Sequence, residues 1–238
     1  MKEIILLEGF PISSPRGFLG WSNALLLDDD GTRVVVDTGG SGDRGTLLRR
    51  LQEAGLDGSS VEFLILTHLH FDHCLNLDLF PRATIVLGRR EHEYVAGGAY
   101  RRQGDTGIPP FVLTLLEGRQ VVFVEDDLDV SPGVRVLATP GHTPGSLSVL
   151  YTVNEGRRTM ACADLVKNAW EFLNGPPSPE GRATLARLRP LATRWIPGHD
   201  RPFVVEGSSI HYEGAREVEM QVLLDARRTP AVTRWRFE

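Results

Sequence analysis

Cysteine is nearly missing from this chain: Cys74 and Cys162 are the only two in 238 residues. Two thiols so far apart form no disulfide framework and no C-x-x-C zinc or redox pair, which points to a reducing compartment. Long apolar runs are missing as well. The N-terminal MKEIILLEGF carries only a few consecutive apolar residues, too few for a signal-peptide core, and no run reaches transmembrane length. A cytoplasmic protein without membrane association is therefore expected. Positive charge is in deficit, with 26 Lys and Arg against 31 Asp and Glu, a formal net charge of −5. That balance disfavours a broadly basic nucleic-acid surface but leaves room for a local basic cleft. What remains is an ordinary soluble composition, 41% hydrophobic and 24% charged, in a chain long enough to bury a core without staples.

The pattern along the chain is short β-rich runs punctuated by Gly, Pro and Asp, with a few helical stretches between them. EIILLEG, NALLLDDDG and TRVVVDTGG read as three early strands. RGTLLRRLQEAG reads as an amphipathic helix with a glycine stop. VEFLILTH is a continuous apolar strand, as expected when both faces are covered. A short helix near Asn76–Phe80, a strand at ATIVLG and a helix at REHEYVA follow. Residues 97–110, GGAYRRQGDTGIPP, have no periodicity, and loops of that length are usually functional. RQVVFV, VRVLATP, LSVLYTV and RRTMACAD are four more strands, and LVKNAWEFLNGPPSP is a second irregular connection. EGRATLARLRP is a helix, TRWI a strand, and YEGAREVEMQVLLDAR a final helix. The two β-rich blocks meet near residue 130, so one domain spanning residues 1–238 is expected.

Metal-ligand residue types gather just past several of these strands. THLHFDHC follows VEFLIL, His142 follows VRVLA, Asp164 ends TMACA, and His199 follows TRWI. Strand ends are where a rigid scaffold presents chemistry. In extended chain, His68 and His70 point the same way and can share one ion. Asp72 and His73 lie where the chain bends and can hold a second. His142 would complete the first set, His199 the second, and Asp164 can bridge both. Imidazole and carboxylate without thiolate suit zinc, with iron or manganese also compatible. Each ion is left short of a closed shell, the mark of a catalytic site whose shared water ionises near neutral pH. Each residue alone has a bland reading: a bonded loop histidine, a Pro-Gly turn beside His142 and His199, a helix cap at Asp164. Together, five of seven histidines at strand ends outweigh those readings.

THLHFDH, TPGHTPGS, CADLV and IPGHD, with DTGG upstream, resemble the five motifs of the metallo-β-lactamase superfamily, in order and over residues 34–203. The resemblance implies an α/β fold, a four-layer αββα sandwich, with a dinuclear site at one edge. It implies ligands at His68, His70, Asp72, His73, His142, Asp164 and His199, with Asp37 of DTGG supporting the ligand loop. Asp164 stands where β-lactamases of this fold have Cys or Ser. Cys162, two residues earlier, would share its face of a strand and reads as core. His70 argues against the diiron flavoproteins, which have a carboxylate there. The chain resembles glyoxalase II and the acyl-homoserine lactonases, but lacks the former's helical extension and the latter's Tyr after Asp164. It offers Lys167, Asn168 and Trp170 instead. NLDLFPRATIVLG and IPGHDRPF look most like the compact metallo-β-lactamase-domain-containing proteins.

The implied activity is attack of a bridging hydroxide on an ester, lactone or thioester of a small-molecule substrate, with Asp72 or Asp164 shuttling the proton. Alternatives are a phosphodiesterase or nuclease of the same fold, an iron-dependent persulfide dioxygenase using His68, His142 and Asp164, and a catalytically silent metal-binding module. Tyr100, Arg101, Arg102 and Asp105 are candidates for a substrate-facing lid, and Trp170 and Phe172 for an apolar wall. His92 and His211 receive no role. Trp235 and Phe237, in a tail expected to be exposed, suggest docking in a homodimer.

Overall fold

The structure, a computed structural model, describes residues 1–15, 17–19, 21–153, 156–214, 216–222 and 231–237. The strands are β1 (Lys2–Leu7), β2 (Ser13–Ser14), β3 (Gly17–Phe18), β4 (Ala24–Asp29), β5 (Thr32–Val36), β6 (Phe63–Leu66), β7 (Thr84–Gly88) and β8 (Val121–Val124) in the first half. The second half has β9 (Asp127–Ser131), β10 (Val134–Ala138), β11 (Leu147–Val153), β12 (Arg157–Ala163), β13 (Arg194–Pro197), β14 (Phe203–Glu206), β15 (Ser209–Tyr212), β16 (Arg216–Val222) and β17 (Ala231–Phe237). The helices are α1 (Arg44–Glu53), α2 (Phe71–Cys74), α3 (Arg89–Ala96), α4 (Ala99–Arg102), α5 (Ala169–Asn174) and α6 (Pro179–Leu188).

Two sheets form the frame. The first runs β1-β4-β5-β6-β7-β8, and the second β15-β14-β13-β12-β11-β10-β9. Burial sorts side chains by strand face. On β6, Leu64 and Leu66 join a core cluster with Leu47 and Leu51 of α1 and Tyr94 of α3. Ile65, between them, points the other way and meets Val149 and Ile196 of the second sheet. That is why VEFLIL is apolar throughout: each face has its own cover. A third cluster seals the outer face of the second sheet, where Trp195 and Phe203 meet Phe172 of α5 and Leu185 and Leu188 of α6. Helices, sheet, sheet, helices is the αββα order. No helix among the described residues is long and apolar enough to cross a membrane.

Three expectations need correction. The proposed final helix is instead a hairpin, β16 pairing with β17 from Arg216↔Phe237 to Val222↔Ala231. Glu217 and Glu219 are exposed while Val218 between them is buried, a period-two pattern that a helix cannot use. Residues 215 and 223–227 of that segment, and the side chains of Trp235 and Phe237, lie outside what the structure describes; the backbone of both aromatics belongs to β17 rather than to a free tail. The connection after Asp164 holds a helix, α5, because Asn168 accepts from the Glu171 amide (3.0 Å) as its N-cap. Asp164 is therefore not that helix's cap. Finally, the acidic β9, DLDVS, was not anticipated, and the loop at 97–110 contains α4.

The candidate metal centre

Parallel pairing sets the site's location. β5, β6 and β7 run parallel in one sheet and β12 and β13 in the other, so several carboxyl ends arrive at one rim. Asp37 follows β5, Thr67–His73 follow β6, Asp164 follows β12 and His199 follows β13, while His142 sits in the turn joining β10 to β11. His70 is extended, and α2 after it is the single helical turn that carries Asp72 and His73.

All seven side chains named from the sequence converge. Their ligand atoms form three interlocking groups, each within 4.8 Å: His68, His70 and His142; His68, His73 and Asp164; Asp72, His73 and His199. His70 Nδ1 and His142 Nε2 are 3.0 Å apart. Asp164 faces both ways, with Oδ1 3.1 Å from His199 Nε2 and 3.3 Å from His73 Nε2, and Oδ2 3.4 Å from His142 Nε2. Asp72 Oδ2 lies 3.5 Å from His199 Nε2. Donors bonded at about 2.0–2.2 Å to one tetrahedral cation stand roughly 3.3–3.6 Å apart, so this spacing fits. The buried atoms His68 Nε2, His73 Nε2 and Asp164 Oδ1 have no hydrogen-bond partner, although buried polar atoms are nearly always satisfied. Cations would meet that need, and an all-imidazole and carboxylate set suits zinc.

Backbone geometry aims the groups. Asp37 and Ala163 both have positive φ, 58° and 43°, a conformation costing side-chain-bearing residues roughly 1–2 kcal/mol. At Ala163 it breaks the strand alternation. Cys162 turns outward into the third core cluster, hydrogen-bonded to the Ile196 carbonyl (3.6 Å), while Asp164 enters the metal cluster. Cys162 and Asp164 therefore do not share a face, contrary to the strand-based expectation. Gly198 is needed because a Cβ there would stand 2.0 Å from Asp164 Oδ1.

Outer partners fix the rings. Asp37 Oδ2 accepts from His73 Nδ1 (2.7 Å) and from the Thr67 hydroxyl (2.7 Å), and Oδ1 accepts from the Thr67 amide (2.8 Å). With that hydroxyl proton given to Asp37, His68 Nδ1–H donates to Thr67 Oγ1 (3.1 Å), leaving the Nε2 lone pair inward. His199 Nδ1 donates to the Trp21 carbonyl (2.9 Å). Asp105 Oδ1 stands 3.0 Å behind His70 Nε2, steadied by the Tyr94 hydroxyl (3.2 Å).

Electrostatics follow the arrangement. Burial, then neighbouring histidines, pushes His68 well below its ordinary pKa, and burial takes His142 down to about 3. Both stay neutral, as ligands must. Burial opposes ionisation of Asp164, but His199, His73 and His142 outweigh it and hold the carboxylate well below its usual range. Burial also works against a charged His73, yet Asp164, Asp37 and Asp72 raise its pKa well above 6.5.

The other sequence candidates are scattered. Lys167 is half-buried; its carbonyl accepts from the His199 amide (2.8 Å), and its charge lowers the pKa of His142. Asn168 and the 69%-exposed Trp170 border a cavity of about 360 Å³ with Phe10, Asp200 and Tyr212. Tyr100 is not brought to the cluster: it is buried in the first core, its hydroxyl accepting from Arg101 Nε (2.7 Å). Arg102 donates to the Gly97 carbonyl, and Phe172 is core. His92 packs on Phe123 and exposed His211 lies near Glu206.

Sequence reasoning missed Asn23, Glu91 and the part played by Asp105. Asn23 stitches the halves, donating to the Pro197 (2.6 Å) and Asp200 (2.8 Å) carbonyls while accepting from the Gly9 amide (2.9 Å). Its partners are remote in sequence, so no local signal marks it.

Comparison with known proteins agrees with this fold. The chain is 30% identical over 206 residues to metallo-beta-lactamase domain-containing protein 1 of Xenopus laevis, covering 84% of this chain and 80% of that one. It is 26% identical over 163 residues to an N-acyl homoserine lactonase of Bacillus sp, covering 68% and 62% respectively. Its fold matches the crystal structure of a quorum-quenching N-acyl homoserine lactone lactonase with a TM-score of 0.68 at 20% identity, over 84% of this chain and 92% of that one. The family model of the metallo-beta-lactamase superfamily matches residues 19–225, and the chain belongs to that superfamily.

Proposed function

We propose that this chain is a dinuclear zinc hydrolase that cleaves an ester, lactone or thioester bond in a small molecule. The observation that carries the reading is the convergence of seven ligand-type side chains around three buried atoms without partners. His68, His70 and His142 would hold one ion, Asp72, His73 and His199 the other, and Asp164 both. Iron or manganese is compatible with the same donors. When bound, the pair would supply a water ionised near neutral pH and polarise the scissile carbonyl.

The chain's own groups do the rest. Asp164, fixed between three imidazoles, keeps its charge and position through the reaction. Asp72, whose carboxylate stands beside His199 in the cluster, takes up the proton released by the attacking water and returns it to the leaving oxygen or sulfur. Asp37, through His73 and Thr67, prevents rotation of the ligand loop. The cavity beside Asn168, Trp170 and Tyr212 adjoins the His199 and Asp164 loops and would take the apolar, non-reacting part of the substrate. The lactonase relatives support the reaction class.

A metal-loaded panel of p-nitrophenyl esters, lactones, thioesters and bis-p-nitrophenyl phosphate, run beside Asp164→Ala, tests this. Turnover of carbonyl substrates that Asp164→Ala abolishes is expected. Turnover only of the phosphodiester moves the reading to a nuclease; one iron per chain moves it to the dioxygenase; a loaded protein inert to all of them leaves a metal-binding module.

A further inference from the structure

Glu91 is the one acidic residue among the described residues with 0% exposure, and no residue of the cation set touches its carboxylate directly. It lies in the first turn of α3, and both of its oxygens are used. Oε1 accepts from the amide of Leu69 (3.0 Å), the residue between His68 and His70. Oε2 accepts from Thr143 Oγ1 (2.5 Å), the residue after His142. Thr143 is itself clamped by Ser146, whose hydroxyl accepts from the Thr143 amide (3.0 Å) and lies 2.7 Å from Oγ1. The approach is close enough to demand glycine at 145, where a Cβ would stand 1.9 Å from the Glu91 amide nitrogen. A buried carboxylate is costly unless it is fully bonded, so its retention at the junction of two loops calls for a reason.

We infer that Glu91 is a positioning residue for one ion of the pair: it lashes the His68–His70 loop of the first sheet to the His142 loop of the second, and so sets the geometry of the His68, His70 and His142 trio. Those three imidazoles come from two loops with no shared strand, and His70 and His142 are partly exposed. The other trio does not use this strap: Asp72 and His73 share one helical turn, and His199 is held through Trp21 and Asn23. The effect should therefore be confined to one ion. This inference rests on the ligand assignment proposed above, but not on any substrate.

The test is zinc binding by the full chain, titrated against a competing chelator, with cobalt absorption spectra reporting ligand geometry at each step. Glu91→Ala should weaken one of the two binding steps by about 10–100-fold, the range for outer partners of metal ligands, and leave the other within threefold. Glu91→Gln should recover most of the loss, because its carbonyl still accepts from Leu69 and its amide can donate to Thr143. In a His142→Ala background, where that ion's site is already broken, Glu91→Ala should not further weaken the remaining ion. Equal weakening of both ions, a loss in the His142→Ala background, or no change at either step would overturn the inference. Should Glu91→Ala fail to fold, Thr143→Val removes one bond of the strap, and the same one-ion pattern must appear or the inference falls. A wild-type chain that binds no zinc overturns it together with the ligand assignment, whereas a chain that binds two ions but hydrolyses nothing overturns only the proposed reaction.

Discussion

Two polar clusters lie between the same pair of sheets, at opposite ends, and they are built on opposite rules. At the metal end, three buried ligand atoms lack partners. At the far end, Arg194 at the start of β13 makes a bidentate pair with Glu3 of β1 (2.7 and 2.9 Å) and bonds Glu213 through Nε (2.8 Å). The Tyr151 hydroxyl also donates to Glu3. That cluster is closed: it joins β1 of the first sheet to β11 and β13 of the second, and leaves nothing to bind. A satisfied polar network holds a fold together, while an unsatisfied one waits for a ligand. The contrast singles out the end whose buried polar atoms still want partners.

Substitutions at each end should separate the two behaviours. The largest effect belongs to Asp164→Ala, which removes the carboxylate facing both ion sites. Hydrolysis should fall by more than the ~100-fold that loss of an outer partner costs, with fewer zinc ions retained by elemental analysis and urea stability of the metal-free chain little changed. Arg194→Ala should do the reverse. Leaving the half-buried Glu3 without its cation should cost about 1–3 kcal/mol in urea unfolding, with two zinc ions still bound by the protein that remains folded. Retained stability in Arg194→Ala would break the comparison.

Smaller changes sharpen it. Asp105→Asn, which keeps shape but weakens the support behind His70, should lower zinc affinity by about 10-fold with little change in melting temperature. At the closed end, burial and then Glu3 raise the Tyr151 pKa well above 10. A raised folded-state pKa means a contribution fully present below the unfolded value and lost as pH climbs toward the folded one. Stability should therefore decline from about pH 10 upward, and Tyr151→Phe should flatten that part of the profile. An unchanged profile in urea melts would remove Tyr151 from the account.

Much of this was legible in the sequence because the decisive groups are local or follow strands. H-x-H-x-D-H lies within six residues, and the other three ligand-type residues follow strands whose apolar runs are plain. The fold class came through the motif resemblance, and the core of β6 through its unbroken hydrophobicity. The failures have physical causes. The expected final helix overlooks the period-two run in which Val218, Met220 and Val222 alternate with polar residues, the pattern of a strand. β9 was hidden by its aspartates. Ala163 gives no sign in sequence that it will reverse the strand's alternation, so Cys162 and Asp164 seemed to share a face. Asp105 was read as part of a lid because its partner His70 lies 35 residues earlier, a pairing that no periodicity predicts.

Because each group of ligand-type side chains draws members from both sheets, the spacing of those sheets works as a ruler for the cluster. Ile65, Val149 and Ile196 fill the gap the ruler measures. Trimming one of these aliphatic side chains would leave a gap that the surroundings close only in part, so its effect should be read on the meeting of the two ligand-type loops as well as on stability.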